Sequence, residues 1–184
     1  YAKSHSASVN SQSMPSFLKP SWVLPVGGVA LMWVALFKLN AYWIEFLTVS
    51  PYVGWIFLPA AVRVLSVLLF RGRGVWGLFL GAMITNAPLL SKQLFEALAL
   101  STMSAVAPAV ALWLGIRWFK LTPALNGLNG WQLLGLSGLA AACSSLLHSV
   151  MFYWVKHDLD WMNAILPMTV GDFAGTLIVL YTAY

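Results

Sequence analysis

Apolar residues occupy most of this chain in long runs, and short stretches that are polar or rich in Gly and Pro separate the runs. A run of roughly 20 apolar residues is long enough to cross a bilayer as an α-helix. The pattern predicts six transmembrane helices: Trp22–Lys38, Val53–Phe70, Gly74–Leu90, Leu94–Ile116, Trp131–Val155 and Met162–Tyr184. We therefore expect an all-α integral membrane protein in which residues 20–184 form a single bundle of about six helices.

Two segments fall outside the predicted spans. Residues 1–19 are polar and contain six Ser, which is typical of a mobile tail. Residues 41–51 (AYWIEFLTVSP) are too few and too mixed in polarity to cross a bilayer. We expect this second segment to lie along the membrane interface.

The composition favours the same class. The chain is 60% hydrophobic and only 8% charged, whereas a soluble domain carries about 25% charged residues. The net charge of +5 comes from basic residues scattered among the loops, so it does not indicate nucleic-acid binding. The expected surroundings are a lipid bilayer.

The distribution of basic residues predicts the orientation, because cytoplasmic loops carry an excess of Lys and Arg. The side of the N-terminus holds six of them: Lys3, Lys19, Arg71, Arg73, Arg117 and Lys120. The opposite side holds Lys38, Lys92 and Lys156. Both termini are therefore predicted to be cytoplasmic, in a multi-pass protein of the inner (cytoplasmic) membrane.

Two charged residues interrupt apolar spans and are the main candidates for a site. Arg63 and Asp172 each lie ten residues past the start of a predicted span, which places both ~15 Å from the same surface if the helices run in the same direction. One hypothesis is an outward-open polar pocket with this pair at its floor and Asn86, Glu96 and His148 nearer the surface. The alternative is a lone ion pair that fixes helix register. The sequence leaves open whether the two residues touch.

Small residues recur at the spacing that lets membrane helices approach closely. Gly77 and Gly81 form one such pair, Gly171 and Gly175 form another, and Gly135 and Gly138 begin a stripe on the fifth span. These glycines are predicted to mediate helix packing.

Catalytic and cofactor chemistries find little support in the sequence. Ser137 lies in a Gly-Leu-Ser-Gly motif, but His148 is eleven residues further along the same helix, ~16 Å away by helical rise. A nucleophile and its base must lie within ~3 Å. A haem needs a second His in a span, a retinal Schiff base needs a mid-span Lys, and zinc needs three or four converging ligands. We expect no enzyme, no cofactor and no metal.

The chain from Leu58 onward resembles the first class of bacterial membrane-associated sensor domains, the integral-membrane N-terminal modules of some diguanylate cyclases and histidine kinases. One matching region runs from Leu58-Pro59-Ala60-Ala61-Val62-Arg63 through the Arg71-Gly72 turn to Gly77-Leu78-Phe79-Leu80-Gly81-Ala82 and Asn86. The other is Gly171-Asp172-Phe173-Ala174-Gly175, similar to the family's G-D-x-x-G helix. No output domain follows Tyr184 in this sequence.

The resemblance implies a non-catalytic module that passes a conformational change to a partner. We accordingly expect a sensor-like or accessory subunit that acts by contact with a partner membrane protein or a larger membrane complex. The alternative, from another class, is the small-molecule-binding membrane component of a transporter. A protein partner at fixed stoichiometry would distinguish the first from the second, which requires a small-molecule ligand.

Overall fold

The computed structural model describes residues 20–43, 48–50, 53–90, 93–120, 129–156 and 161–182. This part of the chain is almost entirely helical, with one short antiparallel β pair. In chain order the elements are α1 (Pro20–Trp43), β1 (Thr48–Ser50), β2 (Val53–Gly54), α2 (Pro59–Phe70), α3 (Gly72–Thr85), α4 (Ala87–Leu90), α5 (Leu94–Trp118), α6 (Gly130–Lys156) and α7 (Trp161–Thr182). The predicted tail at residues 1–19 lies outside the described residues.

Three helices of the described part are long and apolar enough to cross a membrane: Ser21–Trp43 of α1, α5, and Gly130–Trp154 of α6. Shorter apolar helical stretches are α2 and Ile165–Leu180 of α7. With 12 residues, α2 measures about 18 Å, well short of the ~30 Å hydrocarbon core.

Two predicted spans are wrong in their limits. The span predicted from Val53 begins as a helix only at Pro59, and Val53–Gly54 form a strand instead. Proline fits the first turn of a helix because it needs no N–H donor there, so Pro59 is a natural start. The span predicted as Gly74–Leu90 is divided into α3 and the four-residue α4.

The predicted interfacial segment at residues 41–51 is also divided where it is described. Ala41–Trp43 continue α1 as its last residues, so this helix extends beyond the predicted end at Lys38. Thr48–Ser50 form β1, which pairs with β2 in the register Thr48 to Gly54 and Ser50 to Val53.

The helices alternate in direction along the chain. Arg73 donates to the Ser21 carbonyl and Trp33 Nε1 donates to Thr85 Oγ1, so α1 and α3 run parallel. A tight turn at Arg71 reverses α2 into α3. The end of α3 then contacts the first turns of α5 through a hydrogen bond from Asn86 to Ser101.

The second half of the bundle continues this alternation. α5 and α6 are antiparallel, with Phe119 near Gly135 at one level and Ser104 near His148 at another. α6 and α7 are antiparallel as well, since Gly138 lies near Phe173 and Ser145 contacts Thr169. α2 lies in the middle and contacts α1, α3, α5, α6 and α7.

The buried residues include an unusually large share of polar side chains, and many large apolar side chains face outward. Large apolar side chains such as Leu31, Trp76 and Trp113 are well exposed on the outer faces, whereas many of the buried side chains are polar. The buried polar set is Arg63, Ser66, Glu96, Ser101, Ser104, Ser137, Ser144, Ser145, His148, Ser149, Asp172 and Thr176. Apolar outer faces of this extent suit lipid rather than water. The fold is that of an all-α membrane protein.

Candidate functional site

Arg63 of α2 lies at the centre of the bundle and is bound by groups from other helices. Its side chain is only 6% exposed. Nη1 donates to Asp172 Oδ2 of α7 and to Ser144 Oγ of α6, both at 2.6 Å. The structure therefore joins the two charged residues that the sequence singled out and makes Ser144 the third member of the cluster.

Two aromatic rings flank the same guanidinium. The Arg63 Cζ atom lies 5.2 Å from the ring centroid of Trp33 and 5.1 Å from that of Phe57. A guanidinium within about 6 Å of a ring centroid is attracted to the electron-rich face, and the attraction is greatest where water is absent. Trp33 belongs to α1 and Phe57 to the segment before α2, so Arg63 contacts four elements besides its own helix.

The backbone just before α2 is irregular and is secured by its neighbours. Phe57 N donates to the Gly171 carbonyl of α7 at 3.0 Å, and Leu58 N donates to Asn40 Oδ1 of α1 at 2.9 Å. Non-helical backbone is tolerated among membrane helices only where such partners satisfy it. Phe57 is thereby placed against Arg63.

Gly175 is required for this arrangement because of the space available. A β-carbon at position 175 would overlap the Phe57 carbonyl and come within 2.9 Å of Leu58 N. These are backbone atoms, so they cannot move aside as a flexible side chain would. Gly171 and Gly175 therefore pack against the segment before α2 rather than against a second helix.

The other predicted packing glycines also have close neighbours within the bundle. A β-carbon at Gly77 would lie 2.6 Å from Val29 Cβ, and one at Gly81 would lie 2.9 Å from Trp33 Cβ, both on α1. The corresponding distances are 3.0 Å to Phe119 Cζ at Gly135 and 3.7 Å to Phe173 Cε2 at Gly138.

His148 extends the polar cluster along α6. Its Nδ1 lies 2.8 Å from the Ser144 carbonyl, which only accepts, so Nδ1 carries the proton. Its Nε2 lies 3.5 Å from Ser104 Oγ of α5. A chain of polar contacts thus runs from α5 through His148 and Ser144 to the Arg63–Asp172 pair.

The remaining residues of the predicted pocket lie elsewhere. Asn86 donates to Ser101 Oγ at 3.1 Å between α3 and α5, and Glu96 is buried near the start of α5. The cavity beside the ion pair has a volume of about 10 Å³. Its lining residues are Ala60, Arg63, Val64, Pro108, Ala140, Ala141, Asp172 and Thr176. Asn86, Glu96 and His148 do not line this cavity, which has room for one water molecule.

Three members of the site were not anticipated from the sequence. The Ser144-Ser145 pair is a weak indication of a polar site because it interrupts an apolar run. Trp33 and Phe57 are indistinguishable in the sequence from other aromatic residues of membrane helices. No local pattern marks an aromatic ring as the neighbour of a distant Arg.

The donor set offers little to a metal ion. Among the described residues, no group of three or more His, Cys, Asp and Glu side chains is placed to hold one. The acid at the centre of the bundle is instead bound to Arg63.

These observations define the class as an integral membrane bundle organised around a buried, aromatic-flanked ion pair. Comparison with known protein families, with curated proteins and with solved structures finds no match to this chain.

Proposed function

We propose that this chain is a non-catalytic, sensor-like or accessory membrane subunit that acts by contact with a partner membrane protein. The motifs around Arg63 and Gly171-Asp172, which resemble those of bacterial membrane-associated sensor domains, first suggest this role. The coupling of several helices through one buried side chain supports it.

That coupling is the observation on which the proposal depends. Arg63 simultaneously contacts Trp33 of α1, Phe57, Ser144 of α6 and Asp172 of α7. A shift of any one of these elements changes a contact made by a buried charge, and such changes are energetically large. Two arrangements of the bundle would therefore differ in the contacts of Arg63, and a partner that binds one of them more tightly would shift the protein towards it.

The outer face of α1 is the surface that we propose for the partner. The small-residue pairs of α3 and α7 already pack against other segments of this chain. A β-carbon at Gly27 or Gly28, in contrast, would meet nothing within 4 Å. Leu24 and Leu31 beside them are 76% and 72% exposed. Small residues between exposed leucines allow a second helix to approach closely.

We further propose six membrane crossings, with both termini in the cytoplasm of a cell whose inner membrane holds the protein. The alternating directions of α1, α2, α3, α5, α6 and α7 support this count. Although α2 alone is too short to cross the membrane, the crossing is complete if the segment before α2 enters the bundle below the membrane surface. Exposed aromatics near both ends, including Trp118 and Trp131 at one and Tyr42 and Trp154 at the other, suit the two interfaces.

Cysteine accessibility tests the orientation. The chain has a single cysteine, Cys143, which is replaced by Ala first. We expect Arg71→Cys and Lys120→Cys to react with an impermeant maleimide only after the membrane is opened, and Tyr42→Cys and Tyr153→Cys to react in intact cells. Labelling of all four positions from outside would contradict the proposed topology.

Native mass spectrometry of the protein extracted gently from its own membrane tests the function. We expect a second protein at fixed stoichiometry, which Gly28→Leu removes. The matched control is Thr102→Leu, which enlarges an exposed small residue on the outer face of α5 and leaves the complex intact. A protein that carries a constant small mass and no second chain would instead support a transporter's binding component.

A further inference from the structure

One donor of the buried Arg63 side chain, the Nε–H group, lacks a hydrogen-bond partner within the part of the chain that the structure describes. Arg63 Nη1 donates to both Asp172 and Ser144, whereas the fully buried Nε bonds neither of them. A buried donor left without an acceptor loses its hydration and gains nothing in exchange, and the loss is greater when the group is charged. The flanking rings of Trp33 and Phe57 do not provide a lone pair for this donor.

Further hydrogen-bonding groups line the cavity next to the ion pair. Arg63 lines it together with two other polar residues, Asp172 and Thr176. The Thr176 hydroxyl donates to the Asp172 carbonyl at 2.7 Å, so the hydroxyl oxygen is still able to accept. Asp172 uses Oδ2 for Arg63, and its carboxylate has further lone pairs.

We propose that this cavity is a binding site for one ordered water molecule, which accepts a hydrogen bond from Arg63 Nε and donates to the Asp172 carboxylate and to Thr176 Oγ1. Buried waters in proteins make about three hydrogen bonds of this kind. The volume of about 10 Å³ is at the lower limit for one water.

The charges select a neutral ligand. Arg63 and Asp172 line the same cavity and neutralise each other, so neither charge is left over to bind a cation or an anion. The water therefore completes the coordination of the ion pair at the junction of α2, α5, α6 and α7. This inference does not depend on the proposed partner, because it concerns only groups inside the bundle.

Nuclear magnetic resonance of the ¹⁵N-labelled full chain in detergent micelles detects such a water directly. The chain has four arginines, so the Nε–H signal of Arg63 is identified by its loss in Arg63→Lys. If that variant fails to fold, Lys substitutions at Arg71, Arg73 and Arg117 assign the other three Nε–H signals, and the one that remains belongs to Arg63. We expect a rotating-frame Overhauser cross-peak between Arg63 Nε–H and water, opposite in sign to chemical exchange.

Two kinds of variant distinguish this water from other sources of the signal. Ala140→Val fills the cavity, so the water cross-peak is expected to vanish while the Nε–H signal remains; Val64→Ile fills it from the other side if Ala140→Val does not fold. Ala142→Val is the matched control on α6, outside the cavity lining, and keeps the cross-peak. Ser144→Ala keeps it too, which excludes exchange relayed by the serine hydroxyl.

Two results would contradict the proposed water site. An observed Arg63 Nε–H signal that contacts carbon-bound protons but shows no direct cross-peak to water would overturn the proposal and mean a dry cavity. A cross-peak that persists unchanged in both cavity-filling variants would overturn it as well, since the water would then lie elsewhere.

Discussion

The Arg63–Asp172 pair predicts a strongly non-additive pattern of stabilities. Asp172→Leu removes the carboxylate from the buried guanidinium, which keeps its contacts with Ser144 Oγ and two aromatic rings. Arg63→Met leaves a buried carboxylate. Removing one partner of a buried ion pair costs ~3–5 kcal/mol, whereas replacing both with apolar side chains is often neutral. The flanking rings stabilise the remaining cation by ~0.5–2 kcal/mol, so the destabilisation by Asp172→Leu is expected near the lower end of the ~3–5 kcal/mol range.

The magnitude of the non-additivity follows from these values. Two independent losses would sum to at least ~6 kcal/mol, but the double variant removes both charges and is expected to lose no more than ~2 kcal/mol. The interaction term is then about 4 kcal/mol, larger than neighbouring residues usually show. Its size reflects the distance of 2.6 Å between Arg63 Nη1 and Asp172 Oδ2 and the burial of both groups.

The assay is equilibrium unfolding in mixed micelles, with sodium dodecyl sulfate as the denaturant and far-ultraviolet circular dichroism as the readout. Ser137→Ala is the matched control, because its buried hydroxyl donates only within α6, to the Leu133 carbonyl. It is expected to change the free energy of unfolding by ~1 kcal/mol or less. A double variant as unstable as the sum of the two single variants would refute the reasoning.

The same titration checks two predictions about the backbone before α2. Gly175→Ala is expected to cost ~1–3 kcal/mol because its β-carbon overlaps the Phe57 carbonyl, whereas Gly138→Ala, with ordinary contact distance, is neutral or gains up to ~1 kcal/mol of helix propensity; equal effects would contradict this account. Asn40→Leu removes the acceptor of Leu58 N, so the unfolding free energy falls by ~1–3 kcal/mol and the Leu58 amide exchanges faster with deuterium; unchanged exchange would argue against the hydrogen bond.

Some errors in the predicted elements have a common origin. The apolar run from Val53 to Phe70 is continuous in sequence, yet only Pro59–Phe70 is helical. Hydrophobicity measures preference for lipid and does not distinguish a helix from a strand or an irregular segment with satisfied backbone groups. Those groups are satisfied by Asn40 and Gly171, which are distant in sequence.

The sequence by itself determined the class of protein and the approximate positions of the helices, and it singled out Arg63 and Asp172 as charges within apolar spans. Long apolar runs and rare charges within them are local properties, and a bilayer imposes their consequences on any chain. Only the tertiary structure decided what those charges contact. Asp172, Ser144 and the two aromatic rings converge on Arg63 from positions up to 109 residues away in the sequence. Their convergence depends on the helix directions and on close approaches at a few glycines, which a local pattern does not contain.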